Sequence, residues 1–187
     1  MSDQSAISSA RCLRPLAPMA LPRLPAEPLV SVAMANYNYA RYLPRAIASL
    51  QGQTYQRWEL VVCDDGSTDD SAAVLADLAA RDPRIRLIRQ ANAGQTAATS
   101  AAYLATRGEV VCFMDSDDEF EPSKLAQVLA AFRQAAQAGV CTHLMLPITA
   151  DGARSSQQIL DADRHQPRRN HRSLQPSWFT SRSDRRI

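Results

Sequence analysis

Through the middle of the chain, short continuous apolar runs alternate with stretches whose apolar positions recur every three or four residues. The runs Leu29–Ala35 (LVSVAMA), Trp58–Asp64 (WELVVCD), Arg84–Arg89 (RIRLIR) and Glu109–Asp115 (EVVCFMD) are rich in Val, Ile and Leu. They predict strands buried on both faces, as in a parallel sheet. Between them Leu43, Ala46, Ile47 and Leu50 fall at helical spacing, as do Ser71, Val74, Leu75 and Leu78, and then the stretch from Ala97 to Ala105. A fourth helix is predicted with Pro122 pre-set for its first turn and Leu125, Val128, Leu129 and Phe132 along one face. Strand starts at positions 29, 58, 84 and 109 are spaced as in right-handed βαβ units. The pattern therefore predicts an α/β fold, a mostly parallel sheet with helices on both faces. In such sheets ligands gather at the carboxyl ends of the strands, so the residues just after Ala35, Asp64 and Asp115 are where chemistry is sought.

The two ends of the chain read differently. Residues 1–27 hold Pro15, Pro18, Pro22 and Pro25 among Ser and Ala, and read as a flexible, proline-rich leader. Residues 28–150 carry the alternation. Residues 151–187 have eight arginines against four aspartates and only eight apolar side chains, too little apolar surface to offset the entropy of ordering them. They read as a basic, poorly ordered tail, with a basic arm for anionic lipid or nucleic acid as the alternative.

Composition narrows the class. A net charge of +2 with 6% aromatic residues argues against a dedicated nucleic-acid binder, which needs a concentrated basic face with stacking rings. Cys12, Cys63, Cys112 and Cys141 form no C-x-x-C pair and mostly sit in apolar runs, which fits a reducing cytoplasm. No run reaches the length of a membrane span and the N-terminus lacks the unbroken apolar core of a signal peptide. The expectation is a cytoplasmic protein with peripheral contact to the inner face of the membrane left open.

What stands at the three strand ends is polar and acidic: Asn36-Tyr37-Asn38-Tyr39, Asp64-Asp65-Gly66-Ser67, and Asp115-Ser116-Asp117-Asp118-Glu119. A turn and a helix start account for part of this, with Ser67 as N-cap and Asp70 near the positive end of the helix. They do not account for Asp64 and Asp65, which repel each other unless donors are supplied, nor for four acids within five residues after Met114. Like charges so close raise one another's pKa unless a cation neutralises them. A hard divalent ion such as Mg²⁺ or Mn²⁺ takes one or two carboxylates together with substrate phosphates and water. The bland alternative is a solvated acidic turn before the last helix, and on the D-x-D alone the two readings are even.

The segments VSVAMANYNYARYLPRAIASLQGQTYQRWELVVCDDGSTDDS, NAGQTAATSAA and GEVVCFMDSDDEFEPSKL together resemble the successive nucleotide-sugar-binding motifs of family 2 glycosyltransferases, over roughly Pro28 to Phe132. The resemblance implies a GT-A fold and a nucleotide-diphosphate sugar, with a UDP-sugar favoured. It implies that Ala35 and Tyr37 lie against the base, that Asp65 accepts a hydrogen bond from it, and that Asp115 and Asp117 bind the ribose and the metal. Asp118 is an alternative metal ligand, because the motif also aligns one step later. The acceptor is left as an unknown sugar or lipid-linked molecule, and transfer with inversion at the anomeric carbon is implied.

The chain departs from that family in two places. Thr99 and Ser100 stand where members often carry arginine and asparagine, with Gln95 a partial substitute. The acidic catalytic base and the arginine-tryptophan motif of the acceptor half have no match after about Arg154, so the chain is expected to be truncated and poor at transfer, and its catalytic residues stay unassigned. Other functions remain in view: a non-catalytic nucleotide-sugar-binding remnant, and a receiver-like signalling domain, which would want a lysine at a later strand end where this chain has Lys124 at a helix start. A dinucleotide-binding oxidoreductase would want glycines where Asn36-Tyr37-Asn38 stands. His143, in the run VCTHLML, has no companions at zinc-ligand spacing, nor do His165 and His171 in the tail.

Overall fold

A computed structural model of the protein describes residues 21–143, 145, 148 and 180–182. The four expected strands form as β1 (Val30–Asn36), β2 (Trp58–Asp64), β3 (Ile85–Arg89) and β4 (Val110–Asp115). Each is followed by a helix: α1 (Leu43–Gln51), α2 (Ser71–Arg81), α3 (Gln95–Leu104) and α4 (Lys124–Gln134). β1 pairs in parallel with both β2 and β4, and β2 with β3. Two short strands, β5 (Val140–Cys141) and β6 (Thr180–Arg182), extend the sheet to the order β3-β2-β1-β4-β6-β5, with β6 antiparallel to both its neighbours.

Alternate strand residues serve opposite faces of the sheet. Val30, Val32 and Met34 of β1, Trp58, Leu60 and Val62 of β2, and Val110, Cys112 and Met114 of β4 meet the apolar stripes of α1, α2 and α4 in the larger core. On the other face Ala33, Val61, Cys63 and Val111 meet Ala98 and Ala102 of α3. Small side chains on both sides let that helix lie close to β1 and β2. Burial follows position in the sheet: every residue of β2 is buried, whereas β3 at the edge buries only Ile85 fully.

Where β1, β2 and β4 begin, a buried polar knot ties the strands together. Ser31 Oγ donates to Glu59 Oε1 at 2.7 Å and accepts from the backbone N–H of Gly108 at 2.8 Å. Glu59 Oε1 also accepts from Arg107 N at 2.6 Å. A Cβ at Gly108 would stand 2.4 Å from the Leu29 carbonyl oxygen and 2.7 Å from Ser31 Oγ, so the turn into β4 needs glycine there.

Four local expectations are altered. Pro122 precedes the N-cap Ser123 instead of opening the first turn of α4, and its carbonyl accepts from Thr54 N at 2.8 Å. The run VCTHLML reads as a strand, and among its described residues Val140–Cys141 forms one. Within the tail expected to be poorly ordered, Thr180–Arg182 forms β6, pairing with a β4 edge whose backbone groups would otherwise lack partners. At the other end Leu24 packs against the core, and the Arg133 guanidinium donates to the Ala26 carbonyl at 2.5 Å, so this part of the expected leader lies on α4. Residues 1–20 and the remainder of the tail, with Cys12, His165, His171 and Trp178, lie outside the described residues. Trp58 is a packing residue, 2% exposed, with the Arg84 guanidinium 3.7 Å from its ring centroid. Cys63, Cys112 and Cys141 are not joined in disulfides among the described residues.

Candidate functional site

The strand order places β1 between β2 and β4, so the chain leaves β1 in one direction and returns on its other side. The loops after β1 and β4 therefore diverge and leave a crevice between them. The loop after β1 is fastened to the loop after β2 by side chains. Asn36 Nδ2 donates to Asp64 Oδ1 at 2.9 Å and to Ser67 Oγ at 3.2 Å, and the Ser67 hydroxyl donates to Asp64 Oδ1 at 2.5 Å. Asn38, in the left-handed region at φ 60°, accepts from Thr68 N at 2.7 Å through its side chain, while its own N–H donates to Ser67 Oγ at 3.0 Å. Asp69 receives Ala40 N at 3.0 Å and Ser71 N at 2.9 Å. Ser67 is thus a loop fastener and not the N-cap of α2; that position belongs to Asp70, without a side-chain cap bond. On either side of Asn38, Tyr37 and Tyr39 remain 43% and 40% exposed, large rings left accessible by a loop fixed beneath them.

Asp64 and Asp65 avoid mutual repulsion because consecutive residues project to opposite sides and each finds its own donors. Asp65, 2% exposed, accepts from Ala93 N at 2.9 Å, Gly94 N at 2.8 Å and Gln90 Nε2 at 2.7 Å. Those bonds, the Ala93 N–H foremost, hold its carboxyl below the usual range against the opposing effect of burial. Asp65 so fixes the segment leading into α3. Gly66 permits the approach: it sits at φ 73°, and a Cβ there would be 2.9 Å from Asn92 N.

The acids after β4 are arranged differently. Asp115 meets one donor, Gln95 Nε2 at 3.3 Å. Burial, followed by the charges of Asp118 and Asp117, pushes its carboxyl up to about 7. Burial and Asp117 push Asp118 upward as well. Glu119 is the member of the group with a cationic partner, Arg45 of α1 at 2.5 Å.

Ala35, Tyr37, Asp65, Asp115 and Asp117 all line one cleft of about 500 Å³ at the carboxyl end of the sheet. Asp118 is not among its lining residues. Tyr39 and Asn92 line it as well, and neither carries a signal in the sequence beyond its place beside a strand end or a helix start. Asn36 and Gln95 also line the cleft. Asn36 is 2% exposed, and its Oδ1 has no hydrogen-bond partner.

Comparison with known proteins agrees with this architecture. The family model of Glycosyl transferase family 2 matches residues 31–185. An uncharacterized glycosyltransferase of Nostoc sp. is 47% identical over 116 residues, 62% of this chain and 36% of that protein. The chondroitin synthase of Escherichia coli is 39% identical over 107 residues, 57% of this chain and 16% of that one. The chain thus spans about a third or less of the length of these relatives. Among solved structures, residues 1–349 of Staphylococcus aureus TarS in complex with UDP superpose with a TM-score of 0.58 at 27% identity, covering 68% of this chain and 38% of that one. The mannosyltransferase PcManGT of Pyrobaculum calidifontis, in complex with GDP-Man and Mn²⁺, superposes with a TM-score of 0.56 at 24% identity, covering 63% and 36%, a likeness of fold. The sheet order, the acidic strand ends and a family match over most of the chain converge: this protein belongs to glycosyl transferase family 2 and has its GT-A fold.

Proposed function

We propose that the cleft binds the nucleotide diphosphate of a sugar donor through a divalent ion, as the donor side of an inverting glycosyltransferase. The observation that carries this reading is that Ala35, Tyr37, Asp65, Asp115 and Asp117, contributed by three strand ends, line the same cleft. Tyr37 covers a face of the base with Ala35 beside it. Asp65 accepts from a ring N–H. A carboxylate has about four lone-pair sites; three donors reach Asp65, which leaves acceptor capacity for one more. Asp115 takes the ribose hydroxyls. The structure of TarS with UDP makes a uridine nucleotide the first to test.

The donor set suits Mg²⁺ or Mn²⁺ held by Asp117, with Asp118 as the alternative ligand. Among the described residues no three His, Cys, Asp or Glu side chains are grouped to hold an ion by themselves. A site that takes one or two carboxylates and completes its shell with phosphate and water has that composition. Asp115 and Asp118, both pushed upward by burial and neighbouring carboxylates, are acids that gain from a cation. When bound, the ion offsets the negative charge that collects on the departing diphosphate. The acceptor is an unidentified sugar or lipid-linked hydroxyl attacking from the opposite face of the sugar, and no residue is assigned as its base. Asp117→Asn is expected to remove the metal-dependent part of UDP binding and leave the metal-free part unchanged. UDP affinity in Mn²⁺ equal to that of the unaltered protein would overturn the assignment.

A further inference from the structure

The acidic turn after β4 is held from the far end of α1, and one side chain outside the cleft carries much of the hold. Gln53, two residues past α1, is 2% exposed. Its Nε2 donates to the Glu121 carbonyl at 2.8 Å and to the Ser49 carbonyl at 3.1 Å, while its Oε1 accepts from Leu125 N at 3.0 Å. Reversing the amide would set its oxygen against two carbonyls and its NH₂ against an N–H, so the orientation is fixed. Leu125 N is one of the first-turn donors of α4, and the N-cap Ser123 makes no side-chain cap bond. Gln53 therefore satisfies, from another element, a group that capping usually serves. Neighbouring bonds act on the same stretch: Phe120 N donates to Ser49 Oγ at 2.9 Å and Thr54 N to the Pro122 carbonyl at 2.8 Å.

We infer that Gln53 is a positioning residue for the carboxylates of the turn from Asp115 to Asp118. The turn begins where β4 leaves the sheet, and the segment it runs into is tied to Gln53 at Glu121 and Leu125, three and seven residues past Asp118. Carboxylates that repel one another stay at a common site only if the backbone between them is restrained at both ends. The base side of the cleft, built from the ends of β1 and β2 and the start of α3, receives no bond from the Gln53 side chain. This inference rests on the proposed metal-diphosphate reading.

The test compares UDP titrations in Mn²⁺ and in chelator with amide exchange by NMR, for the unaltered protein and for Gln53→Met, which keeps length and loses the hydrogen bonds. Losing restraint worth about one buried hydrogen bond, Gln53→Met is expected to bind UDP in Mn²⁺ about tenfold more weakly, with affinity in chelator unchanged. Exchange at Asp118 N and Phe120 N is expected to rise by a similar factor, while exchange at Asp65 N stays the same. Val61→Ala, a core substitution on the face of the sheet opposite α1 and α4, controls for lost stability and should leave the ratio of the two affinities unaltered. Should Gln53→Met fail to fold, Ser49→Ala, which removes the acceptor of Phe120 N, is expected to shift the same two readouts in the same direction by less. Equal losses in Mn²⁺ and in chelator would reduce Gln53 to a structural role and overturn the inference, as would unchanged exchange at Asp118 and Phe120. Absence of any metal effect in the unaltered protein would overturn the metal reading instead, and the exchange result alone would then decide whether Gln53 restrains the turn.

Discussion

Asp65 and Asp115 line the same cleft under opposite influences. Backbone and amide donors pull the Asp65 carboxyl down, so it is a fixed anion that shapes the start of α3. Burial and neighbouring acids push Asp115 up to about 7, leaving a group that responds to whatever enters the cleft. Asp65→Ala is accordingly expected to weaken UDP binding roughly tenfold both in Mn²⁺ and in chelator, since it removes an acceptor for the base and loosens the segment that carries Ala93 and Gly94. Titrations in the two conditions check this, and a loss confined to Mn²⁺ would place Asp65 on the metal side. The acidic character of these residues was legible in the sequence, as was their place at strand ends. The difference between them was not, because the donors to Asp65 come from Gln90, Ala93 and Gly94, and no local pattern says that this segment folds back onto it. Ser67 shows the same limit: its spacing suits an N-cap, but long-range bonds to Asn36 and Asn38 outweigh that use.

At the scale of elements, helix and strand positions followed from periodicity, while the joints between them depend on buried polar groups. Asp82, at the C-terminal end of α2, accepts from the Arg84 guanidinium at 2.7 and 2.9 Å, from Arg84 N at 3.1 Å and from Gln51 Nε2 at 3.1 Å. The Arg84 hydrogen bonds hold its carboxyl well below the usual range. The sign follows: the native state binds this proton less tightly than the unfolded chain, so the stabilisation is full above the unfolded pKa of about 3.9 and is lost as pH falls through the native value. Asp82→Asn is expected to cost about 2 kcal/mol near pH 7, in the range for charged hydrogen bonds at a largely buried site. The gap between the two proteins should narrow below about pH 4. Urea denaturation of both across pH checks this, and a gap that widens on acidification would contradict it. Asp82 and Arg84 are two residues apart, but Gln51 comes from α1, 31 residues back in the chain, so its part in this joint could not be read from spacing. The displacement of Pro122 out of α4 has a similar origin, since its carbonyl is engaged by Thr54 N across the loop.

For the whole molecule, the site is a consequence of topology. The chain order sends β2 and β3 to one side of β1 and β4 to the other, and the crevice this opens collects the polar residues that end each strand. The α/β class and the three strand ends could be foreseen from alternation alone. Strand β6 could not, because Thr180–Arg182 lies in a stretch with few apolar residues and forms by pairing with an edge far back in sequence. Among the described residues no helix is long and apolar enough to cross a membrane. The most direct test of the cleft's proposed role is calorimetric titration of the purified chain with UDP in Mn²⁺ and again in chelator. Saturable binding in Mn²⁺, weakened at least about tenfold by chelation, is the expected result, as the ion links carboxylates to phosphates that otherwise repel them. Equal affinity in the two conditions would contradict the metal's role, and no binding of UDP in either would contradict the assignment of the cleft to a uridine nucleotide.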